Sequence, residues 1–89
     1  LAGRQISFIG GGNMAEALLA GLLRKGLTSP DRLAVSDPLV SRRELLARTF
    51  GVVVTADNQA AARGADIVVL ALNRVLDEAV QIHGGAGYI

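Results

Sequence analysis

Residues 6–15 read ISFIGGGNMA, a run of strand-forming residues that ends in three consecutive glycines. The glycines fit the pattern G-x-G-x-x-A, and the Ala- and Leu-rich stretch Asn13–Lys25 predicts a helix directly after them. In such a strand–loop–helix unit, Gly10 permits the tight turn and Gly12 lets a ligand approach the backbone, since neither carries a Cβ. Ala15 is small enough for the helix to pack closely on the strand. The segment therefore predicts a loop that can hold a phosphate group at the start of a helix.

The whole chain alternates between strand-like and helix-like patterns. The predicted strands are Arg4–Gly10, Leu33–Ser36, Val52–Val54 and Ile67–Leu72, and the predicted helices are Asn13–Lys25, Arg42–Phe50, Asn58–Arg63 and Asn73–His83. Alternation with short connections predicts a parallel sheet with helices on both faces. Right-handed crossovers then favour four strands in the order 3-2-1-4, the α/β architecture of a Rossmann half-domain. We expect residues 1–89 to form one small domain.

Two positions are predicted to cap helices. Ser41 and Glu44 have the spacing of a capping box, in which the serine hydroxyl accepts from the Glu44 N–H and the glutamate reaches back. Asp57 precedes the third predicted helix and can accept hydrogen bonds from the N–H groups of its first turn. These residues predict where the second and third helices begin.

The composition excludes several classes of function. Nine basic and eight acidic residues are spread along the chain and give a net charge of +1, so the clustered basic face of a nucleic-acid-binding protein is missing. The chain has no cysteine and one histidine, which excludes disulfides and thiolate metal sites. No stretch reaches the ~18 apolar residues of a membrane span, and the first residues lack a secretory-signal pattern. We therefore expect a cytoplasmic protein without a metal and without a nucleic-acid or membrane partner.

The end of the second predicted strand carries the residues expected to choose between dinucleotides. NAD sites usually place an acid about 20 residues past the glycines to bind the ribose hydroxyls, and Asp37 stands at that distance. Ser36 precedes it, and Arg42 and Arg43 follow, a combination that can accommodate a 2′-phosphate and slightly favours NADP over NAD. Three simpler interpretations stay open: a tight turn without a ligand, a turn that begins at Asp37-Pro38, and solvent-exposed arginines.

Longer stretches resemble one enzyme family. The segments ISFIGGGNMAEALLAGLL, VSDP and GVVVTADNQAAARGADIVVLAL are similar to the N-terminal domain of pyrroline-5-carboxylate reductase. The resemblance covers residues 4–72 and implies a Rossmann domain that binds NAD or NADP in an enzyme of proline biosynthesis. By position, it implies phosphate contacts at Gly10, Gly12, Asn13 and Met14, ribose or 2′-phosphate contacts at Ser36, a cofactor contact at Asn58, and nicotinamide-ribose contacts at Ala71 and Leu72.

The last part of the chain departs from that pattern. The family continues with Val-Lys-Pro where this chain has Leu72-Asn73-Arg74, and NRVLDEAVQIHGGAGYI is similar to a segment of acyl-CoA dehydrogenases. That resemblance implies a flavin-contacting Q-x-x-G-G-x-G-Y motif, matched here by Gln81, Gly84, Gly85, Gly87 and Tyr88. We interpret the chain as a chimera or a truncated protein in which residues 73–89 form a helix and a glycine-rich tail. Apolar residues recur along one face of that helix, so we expect it to pack on the sheet rather than to bind FAD.

These patterns favour a nicotinamide-dinucleotide-binding module derived from the reductase but without its substrate and dimerisation domain. Two alternatives stay open: a reductase that other chains complete, and a folding or oligomerisation scaffold that binds no nucleotide. We expect the chain alone to be inactive as an enzyme, because no residue offers to hold the imine substrate. The apolar strand Ile67–Leu72 should lie at a sheet edge, so we expect a homo-oligomer formed through the last strand or the last helix.

Overall fold

Strands and helices alternate along the chain, as the sequence predicts. The computed structural model describes residues 3–71, and the helix and tail predicted for residues 73–89 lie outside them. In chain order the elements are β1 (Ile6–Ile9), α1 (Asn13–Arg24), a 3-10 turn (Pro30–Arg32), β2 (Leu33–Ser36), α2 (Val40–Phe50), β3 (Val53–Thr55), α3 (Asn58–Ala62) and β4 (Ile67–Leu70). None of the helices in residues 3–71 has the length and apolar character needed to cross a membrane.

The four strands form one parallel sheet in the order β3-β2-β1-β4, which confirms the predicted topology. β1 pairs with β2 on one side and with β4 on the other, so Phe8 lies between Val35 and Val69. The chain steps from β1 through β2 to β3 and then crosses back to place β4 beside β1. In sheets of this kind, ligands bind in the crevice at the carboxyl ends of the strands where the direction of stepping reverses. That crevice lies between the ends of β1 and β4.

The hydrophobic core lies between one face of the sheet and the two long helices. Phe8 and Val35 of the sheet, Leu19 of α1 and Leu46 of α2 are each exposed by 1% or less. The other apolar members of this core are Ile6, Ala15, Leu33, Val52, Val69 and Ala71. Burial of a Leu or Phe side chain stabilises the fold by about 1.5–3 kcal/mol. This packing holds α1 against β1 and thereby sets the position of the glycine loop between them.

The short helix α3 lies on the opposite face of the sheet. Asp57 caps it as predicted, because its Oδ1 accepts from the N–H of Gln59 at 2.9 Å. Side chains alternate between the two faces of a strand, so Ser7 points away from the core that contains its neighbours in β1. The Ser7 hydroxyl donates to the carbonyl oxygen of Ala61 in α3. α3 is therefore tied to the centre of the sheet.

The end of α1 confirms the helix stop predicted at Gly26. Gly26 adopts the left-handed conformation with φ of +69°, which a residue without a Cβ reaches at little cost. Its N–H donates to the carbonyl of Leu23, and the N–H of Leu27 donates to the carbonyl of Leu22, both at 3.1 Å. This pair of hydrogen bonds is a Schellman motif, which satisfies carbonyls that the helix end leaves without partners.

The start of α2 differs from the prediction. The helix begins at Val40 with Leu39 as its N-cap, and no side chain caps it, so the capping box predicted for Ser41 and Glu44 is wrong. The reason lies in the turn before the helix. The Oδ1 atom of Asp37 accepts from the N–H of Leu39 at 2.8 Å, which closes the turn early. The helix therefore starts two residues sooner than the sequence pattern predicts.

β4 is shorter than the predicted strand Ile67–Leu72. It ends at Leu70 because its partner β1 ends where Gly10 turns away from the sheet with φ of +103°. One more hydrogen bond continues the ladder, from the N–H of Ala71 to the carbonyl of Ile9 at 2.9 Å. In the described part of the chain, β3 and β4 are the two edges of the sheet, as predicted.

Candidate functional site

The glycine loop between β1 and α1 lies at the crevice of the sheet. The N–H of Gly10 donates to the carbonyl of Ser36 at 2.8 Å, which ties the loop to the end of β2. Gly12 is the N-cap of α1 in an extended conformation (φ −82°, ψ −161°), and as a glycine it has no side chain with which to cap the helix. The first N–H groups of a helix have no partner within it, so they and the positive end of the helix dipole are directed at the loop. Such a helix start can bind an anion.

Gly11, the middle glycine of the loop, has little room around it. A Cβ on Gly11 would lie 2.8 Å from Cδ1 of Leu46, 3.2 Å from Cγ1 of Val35 and 3.3 Å from Oδ2 of Asp37. Sequence reasoning missed this residue because the pattern G-x-G-x-x-A accepts any residue at its position. The signal that could have found it is the run of three glycines where the pattern needs only two.

Asp37 is buried, and its carboxylate binds backbone groups. Its side chain accepts from the N–H of Gly11 through Oδ2 and from the N–H of Leu39 through Oδ1, both at 2.8 Å. Its own carbonyl oxygen accepts from Nη1 of Arg43 at 2.7 Å. The turn predicted to begin at Asp37-Pro38 is confirmed by the bond to Leu39. The bond to Gly11 was not foreseen, and it directs the carboxylate at the glycine loop.

Arg42 also reaches the glycine loop. Its Nε donates to the carbonyl oxygen of Gly11 at 2.7 Å, and its Nη2 donates to Oε1 of Glu16 at 3.0 Å. Glu16 lies in the first turn of α1. The side chain of Arg42 is 23% exposed and that of Glu16 is 39% exposed. The interpretation of Arg42 as a solvent-exposed arginine is therefore wrong, and its guanidinium connects α2 with α1 and with the loop.

Ser36 and Asn58 come together at the carboxyl end of β2. Ser36 is fully buried, and its hydroxyl donates to Oδ1 of Asn58 at 2.6 Å. Asn58 is the first residue of α3, and it is exposed. Two residues that are 22 positions apart in the sequence thus form a polar pair beside the loop.

The remaining predicted site residues lie at the helix start and at the end of β4. Asn13 and Met14 are the first two residues of α1, and both are exposed, Met14 by 58%. Ala71 is fully buried next to the end of β1. Leu72 lies outside the described residues.

A separate cleft of about 190 Å³ opens at the amino ends of the strands. It is lined by Ser7 and Ala34 of the sheet, Ala61 of α3, and Asp31 and Arg32 of the 3-10 turn, among others. The Ser29 hydroxyl donates to Asp31 at 2.5 Å, and this hydrogen bond lowers the pKa of the Asp31 carboxyl. Because the glycine loop and the Ser36–Asn58 pair lie at the opposite ends of the strands, this cleft is not part of their site.

Most of the chain matches the sequence pattern of one known protein family. Residues 5–80 match the family described as NADP oxidoreductase, coenzyme F420-dependent. The chain belongs to this family. The matched range of the family includes the glycine loop, the Ser36–Asn58 pair and all four strands.

Individual relatives point to one kind of enzyme. The chain is 40% identical over 84 residues to a pyrroline-5-carboxylate reductase of Synechocystis sp., an alignment that covers 92% of this chain and 32% of the relative. It is 41% identical over 69 residues to the pyrroline-5-carboxylate reductase of Vibrio alginolyticus, an alignment that covers 78% of this chain and 25% of the relative. A solved structure of a pyrroline-5-carboxylate reductase from Coxiella burnetii matches with a TM-score of 0.74 and 39% identity, over 78% of this chain and 25% of that chain. The chain therefore spans about a quarter to a third of the length of these relatives.

These comparisons confirm the resemblance to the reductase and the Rossmann-like fold. They do not support a join after Leu72. The family match continues to residue 80, and an alignment over 92% of the chain also extends beyond residue 73. The similarity of residues 73–89 to acyl-CoA dehydrogenases finds no counterpart among them.

Proposed function

We propose that this chain binds a nicotinamide dinucleotide, NADP or NAD, at the glycine loop. The observation that carries the proposal is the start of α1. Gly12 begins the helix without a side-chain cap, at the crevice where the sheet changes direction. A pyrophosphate can accept hydrogen bonds from the free N–H groups there and interact with the positive end of the helix dipole. Membership of a family described as NADP oxidoreductases supports the same ligand.

All of the predicted site residues except Asp37 and Arg42 divide into three groups around such a ligand. Four residues of the loop and the helix start would hold the pyrophosphate: Gly10, Gly12, Asn13 and Met14. Ser36 and Asn58 form the polar pair at the end of β2 and would contact the adenosine ribose or its 2′-phosphate. Ala71 and Leu72 follow β4 and would lie beside the nicotinamide ribose. Asp37 and Arg42, predicted to contact the cofactor, are engaged with the loop in this structure, and a direct contact to the cofactor remains a prediction.

Two features support a preference for NADP over NAD. The acid that usually accepts the ribose hydroxyls of NAD corresponds to Asp37, and both oxygens of that carboxylate already accept from backbone N–H groups. The Ser36–Asn58 pair is uncharged, and the exposed amide NH2 of Asn58 can donate to a 2′-phosphate while the Ser36 hydroxyl holds its Oδ1. We therefore propose that NADP is the preferred cofactor.

Titration of the 89-residue chain with NADPH, NADH and FAD tests this proposal. We expect NADPH and NADH each to change the fluorescence of their own reduced nicotinamide on binding and to raise the melting temperature of the protein. NADPH should bind about tenfold more tightly than NADH, a difference in binding free energy of about 1.4 kcal/mol. Tight binding of FAD alone would instead support the flavin role implied by the resemblance of residues 73–89. No binding of any of the three would favour the scaffold without a nucleotide.

We propose that this chain supplies the cofactor-binding part of the reaction that its relatives are named for. Bound NADPH would supply a hydride for the reduction of an imine such as pyrroline-5-carboxylate. The part of this chain that the structure describes would hold and orient the cofactor for that step. A cytoplasmic location, expected from the sequence, fits such a biosynthetic role.

We also propose that the chain forms a symmetric oligomer. In the described residues β4 pairs with β1 on one side only, so its outer edge presents unpaired backbone groups. Pairing with a second copy would satisfy those groups. We expect light scattering at micromolar concentration to give a mass of about twice the 9.2 kDa of the chain or more. A uniform mass of a single chain would contradict the proposal.

A further inference from the structure

We propose that Asp37, Arg42 and Glu16 are positioning residues that hold the peptide groups of Gly11 and thereby aim the phosphate-binding loop. This set of residues is called the loop clamp below. The inference rests on the proposed function, because the loop is held for a ligand that has phosphates. It assigns Arg42 to the loop and not to the 2′-phosphate that the sequence suggests.

The first half of the loop clamp acts on the N–H of Gly11. The Oδ2 atom of Asp37 accepts a hydrogen bond from that N–H at 2.8 Å, and its Oδ1 accepts one from the N–H of Leu39 at the same distance. Only 9% of Asp37 is exposed. A carboxylate with both oxygens committed to backbone donors makes charge-assisted hydrogen bonds, which are about twice as strong as neutral ones. One side chain therefore joins the glycine loop to the start of α2.

The second half of the loop clamp acts on the carbonyl of Gly11. Arg42 donates from Nε to that oxygen at 2.7 Å and from Nη2 to Oε1 of Glu16 at 3.0 Å. A guanidinium group is planar and rigid, so these two hydrogen bonds fix the directions of the Gly11 carbonyl and of the Glu16 carboxylate relative to each other. The loop and the first turn of α1 are thus held by a single group of α2.

The ion pair between Arg42 and Glu16 has an electrostatic consequence. Glu16 lies in the first turn of α1, where its negative charge favours the helix but would oppose an approaching phosphate. The guanidinium of Arg42 neutralises that charge at 3.0 Å. This ion pair therefore stabilises the helix start without adding a net charge of its own beside the phosphate-binding N–H groups.

The clamped carbonyl decides where the next N–H points. In a planar trans peptide the carbonyl of one residue and the N–H of the next point in opposite directions. Because the carbonyl of Gly11 is held towards Arg42, the N–H of Gly12 is held away from α2. Within residues 3–71 that N–H donates to no other group. It is therefore a fixed, available donor at the start of α1.

Two roles for Arg42 predict different results with two cofactors. If Arg42 contacts the 2′-phosphate directly, its substitution would weaken the binding of NADPH and leave the binding of NADH unchanged, since only NADPH carries that phosphate. Positioning of the loop would affect both cofactors by the same factor, because both carry the pyrophosphate. The ratio of the two dissociation constants therefore separates the roles.

The experiment compares Arg42→Gln with Arg48→Gln by titration with NADPH and NADH. Arg48 is an exposed residue on the same helix, so its substitution removes the same charge without touching the loop. We expect Arg42→Gln to raise the dissociation constants of NADPH and NADH about tenfold each, so that their ratio does not change. Arg48→Gln should leave both constants within about twofold of the wild-type values. Loss of NADPH affinity alone would overturn the inference, as would unchanged affinity for both.

A second measurement does not depend on a ligand. Hydrogen exchange of backbone amides by NMR is expected to show a protected Gly11 N–H in the wild-type chain. We expect this protection to fall at least about tenfold in Asp37→Asn, because an asparagine has an NH2 group in place of one carboxylate oxygen and accepts only a weaker, uncharged hydrogen bond on the other. A Gly11 amide that exchanges freely in the wild type would overturn the loop clamp even if both cofactors bind. If neither cofactor bound while the amide was protected, the proposed function would fail and the clamp would remain only as a structural feature, without the phosphate-aiming role inferred here.

Discussion

Replacement of Gly12 by valine is expected to abolish dinucleotide binding while the chain still folds. Gly12 is the N-cap of α1, and its extended backbone (φ −82°, ψ −161°) is one that any residue can adopt. A valine side chain would occupy the space in which a pyrophosphate approaches the helix start, and we expect affinity for NADPH and NADH to fall about 100-fold or more. A β-branched residue is a poor N-cap, which by itself lowers stability by about 1 kcal/mol.

The matched control for this variant is Ala17→Val. Ala17 lies on an exposed part of α1, so the substitution adds the same branched side chain to the same helix at a distance from the loop. Its helix-propensity cost is about 0.5 kcal/mol. We expect its affinity for both cofactors to equal that of the wild type. If Gly12→Val bound NADPH as tightly as Ala17→Val, the phosphates would have to bind elsewhere.

The order of the strands could be predicted because it depends on local signals. Four short apolar runs are separated by helical patterns and by glycines or prolines, and each connection is too short for any but the nearest crossover. The end of α1 was predictable for the same reason, since Gly26 itself supplies the conformation that stops the helix. Such elements are specified by residues within a few positions of one another.

The contacts that hold the glycine loop could not be predicted in the same way. Asp37 and Arg42 meet Gly11 across 26 and 31 positions of sequence, and the meeting depends on how α2 packs against α1. A motif records which residues line the loop, but it does not record which distant side chains bind its peptide groups. The start of α2 was mispredicted through the same omission, because the carboxylate of Asp37 closes the turn ahead of the predicted cap at Ser41.

Gly11→Ala is expected to destabilise the fold. The new Cβ would meet Leu46 at 2.8 Å and Val35 at 3.2 Å, distances at which the atoms must move apart. Both side chains are fully buried, so neither can swing into solvent. Overpacking of this kind costs about 1–3 kcal/mol. The same Cβ lies 3.3 Å from Oδ2 of Asp37, so the hydrogen bond that the Gly11 N–H donates to this oxygen should weaken as well.

The opposite result is expected for the same substitution elsewhere in the chain. Gly21 lies inside α1, and a Cβ there would meet no side chain or other segment of the described residues within 4 Å. Gly21→Ala should therefore raise the free energy of unfolding by up to about 1 kcal/mol, because alanine favours the helix over glycine by that amount. Thermal or urea unfolding of both variants measures the difference, and in a domain of this size each kcal/mol moves the melting temperature by about 4–8 °C. A Gly11→Ala chain as stable as the wild type would mean that Leu46 and Val35 yield to the added methyl group, and that the close packing of α2 on the loop is not what requires a glycine there.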